Sequence, residues 1–401
     1  MSIVLPTNRD ENWRYANLRP LAKSKREAVA THAAPVASIA LPAALPDYER
    51  WVFVDGQYAA ELSSPAANTC ATLLEVSDAG EAFALMLDSA IASEGVDFAL
   101  ARLNATGGTR VLQVAAPDDS HANLELIFVA TASAASGTSY PRVQVHAGRN
   151  AKVRLVERHL SSGNADSAIN AAFDLALRAD ASIDHCRLQN VGDAASCFDT
   201  LTAHVGDRAA YRLRTITLGG LTSRSTILVR LAGRAARCEL TAASIANGIQ
   251  THDLFAEIEH TGADAVTREL YRGIATDRGK LGFNGKMVVR ESAHGADSEQ
   301  SLKSLLTGNG AEASVRPQLE IYTDRVRAQH GATTGKLDDQ MLFYLLSRGI
   351  DRRTAQTLLQ WAFIEDAVSR VDCAQLRTDI EQLVAAQLNE VSALEGLLGK
   401  P

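Results

Sequence analysis

From about residue 108 to residue 332 the chain runs in short stretches in which apolar and polar side chains alternate, broken by Gly, Asp and Asn. A period of two belongs to half-buried strands, and the breakers mark the turns between them. One phrase recurs within this region: a Gly or small residue, then polar or small residues, then a strand-like run. It reads Gly148-Arg149-Asn150-Ala151-Lys152-Val153-Arg154-Leu155, and again Ala179-Asp180-Ala181-Ser182-Ile183-Asp184-His185-Cys186. Further copies open at Gly206, Gly233 and Gly262, so the successive steps are 31, 27, 27 and 29 residues. A step of this size is the mark of stacked units that share one interior. The Gly or small residue at each corner is expected to carry the sharp turn, with φ > 0. A β-sandwich also has short strands and recurring turns and stands as the alternative. It has no reason, however, to repeat one turn phrase at a fixed longer step.

The flanks have a different texture. Residues 1–105 mix helical and extended pieces. Trp51-Val52-Phe53-Val54-Asp55-Gly56-Gln57-Tyr58 predicts a strand entering a Gly turn, and 81–91 predicts a helix with Phe83, Leu85, Met86, Leu87 and Ile91 apolar. The Ala- and Pro-rich stretch 23–46 predicts a loose connection. Towards the C-terminus, Asp338 or Asp339 can cap a helix carrying Met341, Leu342, Leu345 and Leu346, which Gly349 would end. Asp351 can cap a second, with Ala355, Leu358, Leu359, Ala362, Phe363 and Ala367 in one stripe. A third shows Leu376, Ile380, Leu383, Val384, Leu388, Val391 and Leu394. Such helices must pack on each other, cap the solenoid end or receive a partner. The expected fold is mainly β: a parallel β-helix core over 106–333, an N-terminal α/β segment over 1–105 and a C-terminal helical domain over 334–401.

Composition narrows the function classes. The 401 residues, 46% hydrophobic and 22% charged, are those of an ordinary folded protein with room for a core. A net charge of −7 argues against nucleic acid or an anionic membrane as the main partner. No apolar stretch approaches the roughly 20 residues that cross a bilayer. The N-terminus soon meets Asp10 and Glu11, unlike the basic start and apolar run of a secretory signal. Cys70, Cys186, Cys197, Cys238 and Cys373 are scattered, with no Cys-x-x-Cys, which fits free thiols in a reducing compartment. A cytoplasmic location is expected.

Motifs for hydrolysis or phosphoryl transfer are not found: there is no Gly-x-Ser-x-Gly, no Gly-x-x-x-x-Gly-Lys-Ser/Thr and no His-Glu-x-x-His. Gly107-Gly108 and Gly219-Gly220 read as turns. Asp118-Asp119 fits a loop and Asp338-Asp339 a helix N-terminus, where negative charge is favoured. Catalysis by this chain alone is therefore not expected. Among the histidines, His252, His260, His294 and His330 fall in the later β region. A lone strand histidine is read first as a hydrogen-bonded residue, and His185 and Cys186, adjacent on a strand, face opposite ways. His330 stands apart because it occupies a Gly-flanked turn where the solenoid ends. An enzyme alternative is a β-helix that cleaves acidic polysaccharides, which calls for a secretion signal and clustered Asp and basic residues.

The phrase around His330 carries a resemblance. Pro317-Gln318-Leu319-Glu320-Ile321-Tyr322, Gln329-His330-Gly331-Ala332-Thr333-Thr334-Gly335 and Leu342 through Ile350 resemble the C-terminal signature of the SufB/SufD family. Glu11 through Leu21 resembles the opening of its SufD branch, and Gly285 and Gln300 fall where the family has a glycine and a glutamine. The resemblance implies a right-handed parallel β-helix with helical regions at both ends, acting as a non-enzymatic scaffold in iron–sulfur cluster assembly. It implies pairing with a SufB-like subunit through the β-helix; the alternative is a homodimeric SufB/SufD-type binding protein with another client, and a homodimer is also open to the chain in isolation. It implies docking of a SufC-like ATPase on the helices from about Asp338 to Arg370, with Asp338, Phe343, Tyr344, Arg348 and Phe363 as candidate contacts. By the same carry-over His330 is a candidate iron or cluster ligand at the SufB interface, and neutral imidazole suits iron. No cofactor is expected to bind this chain firmly by itself; a nascent cluster would be shared with the partner, and the sequence leaves flavin undecided. The chain departs from the family pattern at Ala328, where many relatives have Cys, so any sulfur donor would come from the partner. It also begins just before the Trp13-Arg14-Tyr15 phrase, which implies a shortened N-terminal region.

Overall fold

The computed structural model describes residues 3–23, 39–75, 95–131, 137–164 and 166–388. The alternating runs become strands of about ten residues, laid parallel in two sheets. One sheet carries Lys152–Ser162, Ser182–Val191, Ala210–Gly219, Arg237–Ala246, Val266–Ala275, Ala296–Leu306 and Val326–Gly335 side by side. The other carries Ala168–Leu177, Ser196–Val205, Thr222–Leu231, Thr251–His260, Lys280–Val289 and Glu312–Ile321. The chain alternates between sheets, so each coil lies on the one before. Ser182 pairs with Ala210, Ala210 with Arg237 and Arg237 with Val266, steps of 28, 27 and 29 residues. This is a parallel β-solenoid, and the all-parallel pairing of these strands excludes the sandwich.

The corners correct the expectation about glycine. The residue with φ > 0 is not the one that opens the phrase but one or two positions later: Asn150, Asp180, Arg208, Ala235 and Asp264, between 53° and 61°. The opening glycines are required for close approach of successive coils. A Cβ on Gly233 would sit 2.0 Å from the Asp207 nitrogen, and one on Gly262 would sit 2.1 Å from the Gly233 oxygen. That proximity lets the corner build its own backbone ladder. Asp180 N–H donates to Asp207 O, Arg208 N–H to Arg234 O and Ala235 N–H to Ala263 O, each at 2.8 Å.

Alternate side chains of both sheets meet in one interior running from Trp51 and Leu124 to Phe283 and Leu302. Glu49–Val54 extends the first sheet, parallel to His121–Thr131, and turns at Asp55-Gly56 into Gln57–Tyr58. The helix expected over 81–91 lies outside the described residues, as does most of the connection 23–46. Trp13, in the N-terminal phrase, is fully buried with Leu100, Leu103, Tyr140 and Phe198. The Arg224 guanidinium lies 4.2 Å from its ring centroid and the indole N–H donates to Asp97.

The C-terminal helices are Asp339–Ser347, Arg352–Val368 and Ala374–Gln387. Asp338 caps the first through the N–H groups of Gln340 and Met341, and Asp351 caps the second through those of Arg353 and Thr354. Gly349, at φ 84°, closes the first helix: its N–H donates to Leu346 O and that of Ile350 to Leu345 O. Trp361, Ile364, Val368, Leu376, Ile380 and Val384 cover Cys186, Leu188, Ile216, Leu218, Ile245 and Ile274 on the outer face of the first sheet. The helices thus lie along the flank of the solenoid rather than across its end. Two stripes change accordingly. Met341 is exposed and only Leu342 of the first helix is buried; in the second, Ala362 is exposed and Trp361 and Ile364 take the buried face. Val391 and Leu394 lie outside the described residues. No helix among the described residues is long and apolar enough to cross a membrane.

Candidate functional site: the open end of the solenoid

His330 does not occupy a turn. It lies in the middle of Val326–Gly335, the last strand of its sheet, and its side chain is exposed. The Gly331 and Gly335 that read as turn signals are strand residues here. They are tolerated because no further coil presses on this strand.

The register fixes where His330 sits. Leu124, Leu155, His185, Leu213, Leu240, Glu269, Gln300 and His330 pair successively, one per coil, so they form one column. All of these before His330 are buried, so the column faces the interior. His330 is exposed only because the column ends there. The same holds for its neighbours. Ala328 and Ala332 continue the columns of Ser298 and Leu302, and Val315, Pro317 and Leu319 those of Phe283, Gly285 and Met287. Of these, Val315 and Leu319 still pack against the core from the rim. Among the described residues the solenoid therefore ends in two unpaired strand edges and a set of interior-type side chains with no coil above them. An uncovered strand edge is a ready template for another chain.

The column changes character as it nears the end. Glu269 and Gln300 are 3% and 2% exposed. The Gln300 amide donates to Glu269 Oε2 at 2.5 Å and to Gly285 O at 3.0 Å. Gly285 leaves the room: a Cβ there would lie 2.6 Å from Glu269 Oε2. Burial pushes the Glu269 carboxyl up to about 7, against the bond from Gln300. Gln300 and Gly285, which sequence reasoning placed only by resemblance, meet directly beneath His330. Glu269 was missed, because one carboxylate in an alternating strand reads as a solvated residue.

The other histidines singled out in the later β region are engaged elsewhere. His252 bonds to Gly219 O and the Ser244 hydroxyl, His260 to the Thr267 hydroxyl and His294 to the Thr323 hydroxyl. Burial pushes both His252 and His260 down to about 4, which keeps them neutral. His185 faces inward to Glu157 and the Tyr211 hydroxyl, whereas Cys186 faces outward under the helices. Glu157 is also bonded by His159 and Arg187; burial works to raise its carboxyl, but these partners outweigh that and hold it low. These bonds tie the histidines into the interior, although His260 Nδ1 and His159 Nδ1 stay buried without a partner.

The candidate contact residues on the helices divide by role. Phe343 and Tyr344 are 71% and 54% exposed beside Met341, forming an uncovered apolar patch. Arg348 lies over the Tyr344 ring at 5.2 Å. Asp338 is taken up by the cap, and Phe363 packs partly into the buried cluster against the sheet. His330 and this patch lie on different elements, one on the solenoid rim and the other on the helices.

Comparison with known proteins gives the family. The core-domain family described as SUF system FeS cluster assembly, SufBD core domain, matches residues 128–363. The chain is similar to the iron–sulfur cluster assembly protein SufD of Escherichia coli, 28% identical over 90% of this chain and 84% of that one. It is similar to an iron–sulfur cluster assembly SufBD family protein of Synechocystis, 27% identical over 96% of this chain and 88% of the relative. A chloroplastic protein of Arabidopsis thaliana is 26% identical over 60% of this chain and 51% of its own length. The matched span takes in most of the solenoid and the first two C-terminal helices up to Phe363, and so the chain belongs to the SufB/SufD family, on its SufD-like side.

Proposed function

We propose that the chain is a scaffold subunit of an iron–sulfur cluster assembly complex, without catalysis of its own. The observation that carries this reading is the open solenoid end, where two unpaired strand edges and His330 face the same uncovered opening. A SufB-like subunit would add its own strand edge there, and the joined interiors would place His330 at the junction. Neutral imidazole offers iron one lone pair, and Ala328, beside it on the same face, offers none. Any thiolate at the junction would therefore come from the partner. The cluster is cargo in this account, held between subunits and passed on.

The helices supply the second contact. Met341, Phe343 and Tyr344 form an exposed apolar patch of the kind that marks a protein contact. A SufC-like ATPase docking there would act on helices already braced against the solenoid by Arg272–Asp366 and Arg158–Asp379. Force on the helices would then reach the sheet whose last strand, Val326–Gly335, forms the open rim.

The test is His330→Ala in the reconstituted complex with partner subunits. Folding should be unchanged, since the side chain is exposed, and bound iron and sulfide should fall. Unchanged iron and sulfide would reduce His330 to a rim residue. A chain that pairs only with itself through the open end would favour the homodimer instead.

A further inference from the structure

Gln300 Oε1 is buried and has no hydrogen-bond partner. The orientation of the amide is fixed, because its nitrogen faces two acceptors, Glu269 Oε2 and Gly285 O. The oxygen is therefore left needing a donor. Buried carbonyl oxygens are normally paired, and an orphan calls for an explanation. One coil below, in register, stands Glu269, already bonded through the nitrogen; one coil above, in register, stands His330. In a parallel stack, side chains of one column lie over one another about 5 Å apart, so the next group able to reach the oxygen is the His330 ring. Glu269 Oε1 is also without a partner. The ionised carboxylate has no proton for the amide oxygen, whereas the protonated form competes as a donor, so the His330 contact is expected above about pH 7.

We propose that Gln300 is the positioning residue for His330: its Oε1 accepts a ring N–H of His330 and so fixes the tautomer and tilt of the imidazole. An exposed ring rotates freely between rotamers, and in the structure it stands unbonded; docking onto the amide satisfies the orphan oxygen and turns the other ring nitrogen, with its lone pair, towards the opening. A ligating histidine needs such a partner behind it, since the hydrogen bond on one nitrogen decides which nitrogen is free. The chain Gly285–Gln300–Glu269 is the brace: two acceptors hold the amide, and the amide holds the ring. This inference rests on the reading of His330 as a ligand for its purpose, but not for its geometry.

The test uses the full chain with 15N-labelled histidine, with the His330 signal assigned by its loss in His330→Ala. In the native protein the His330 tautomer ratio should depart from that of the same chain unfolded in urea, and Gln300→Leu should return it to the unfolded balance. A His330 ratio in the folded wild type equal to the unfolded one overturns the proposal, with or without a folded variant. Iron and sulfide in the reconstituted complex separate the two ideas. If His330→Ala lowers them and Gln300→Leu moves neither the tautomer nor the metal, His330 is a ligand without this brace and the proposal falls. If the tautomer shifts as expected while His330→Ala leaves iron and sulfide unchanged, the brace stands and the ligand reading fails.

Discussion

Gln300 donates to the Glu269 carboxylate at 2.5 Å, from the next coil of the same interior column. Among the described residues no cation offsets the burial of this carboxylate, and the Gln300 amide is its partner. Burial holds the Glu269 proton up to about 7, whereas an unfolded glutamate ionises near 4.5. The raised value means stability that is fully present below the unfolded value and lost as pH rises through 7. Ionising this carboxyl in place costs about 3 kcal/mol, to order of magnitude. Glu269→Gln keeps an acceptor for Gln300 and removes the titration. Urea melts should therefore show the variant gaining on wild type by about that amount between pH 4.5 and pH 8. A difference that stays flat across this window contradicts the assignment.

The corners make a paired prediction. Gly233 has the Asp207 backbone nitrogen 2.0 Å from where a Cβ would lie, while Ala235 holds φ at 55°. Gly233→Ala should cost about 2 kcal/mol or more, because backbone must move to admit the methyl group. Ala235→Gly should gain up to about 1 kcal/mol by relieving the left-handed strain. Thermal melts of the two variants should move in opposite directions, and a loss in both would show that the corner glycine serves flexibility instead.

The helices separate core from contact surface. Ile364 is fully buried against the sheet, and Phe343 is 71% exposed. Ile364→Ala should destabilise by about 2–4 kcal/mol. Phe343→Asp should change stability by no more than about 0.5 kcal/mol and abolish binding of a SufC-like ATPase in a pull-down. Binding retained by a folded Phe343→Asp would move the docking surface off this patch.

The solenoid was legible because each coil repeats the same turn phrase, and its two-residue alternation matches one interior face. What escaped had a physical reason in each case. The left-handed corner position is signalled by Asn150, Asp180 and Asp264, whose side chains tolerate that conformation, but Arg208 and Ala235 carry no such signal. His330 read as a turn because Val326–Gly335 has no coil above it, so nothing demands bulky inward side chains and Gly, Ala and Thr take their place. The second helix buries Trp361 and Ile364, outside the expected stripe, because it lies on a broad sheet rather than a narrow seam. The Glu269–Gln300 pair joins residues 31 apart, and only the register of two strands brings them together.

The central claim is that the open rim receives a SufB-like subunit and holds a cluster at His330. The most direct measurement is anaerobic co-purification of the chain with SufB-like and SufC-like subunits, followed by iron and sulfide analysis of wild type and His330→Ala. The account predicts a complex containing all three subunits in both cases, with iron and sulfide reduced in the variant. A chain that elutes alone with both partners present, or a variant complex with undiminished iron and sulfide, would contradict it.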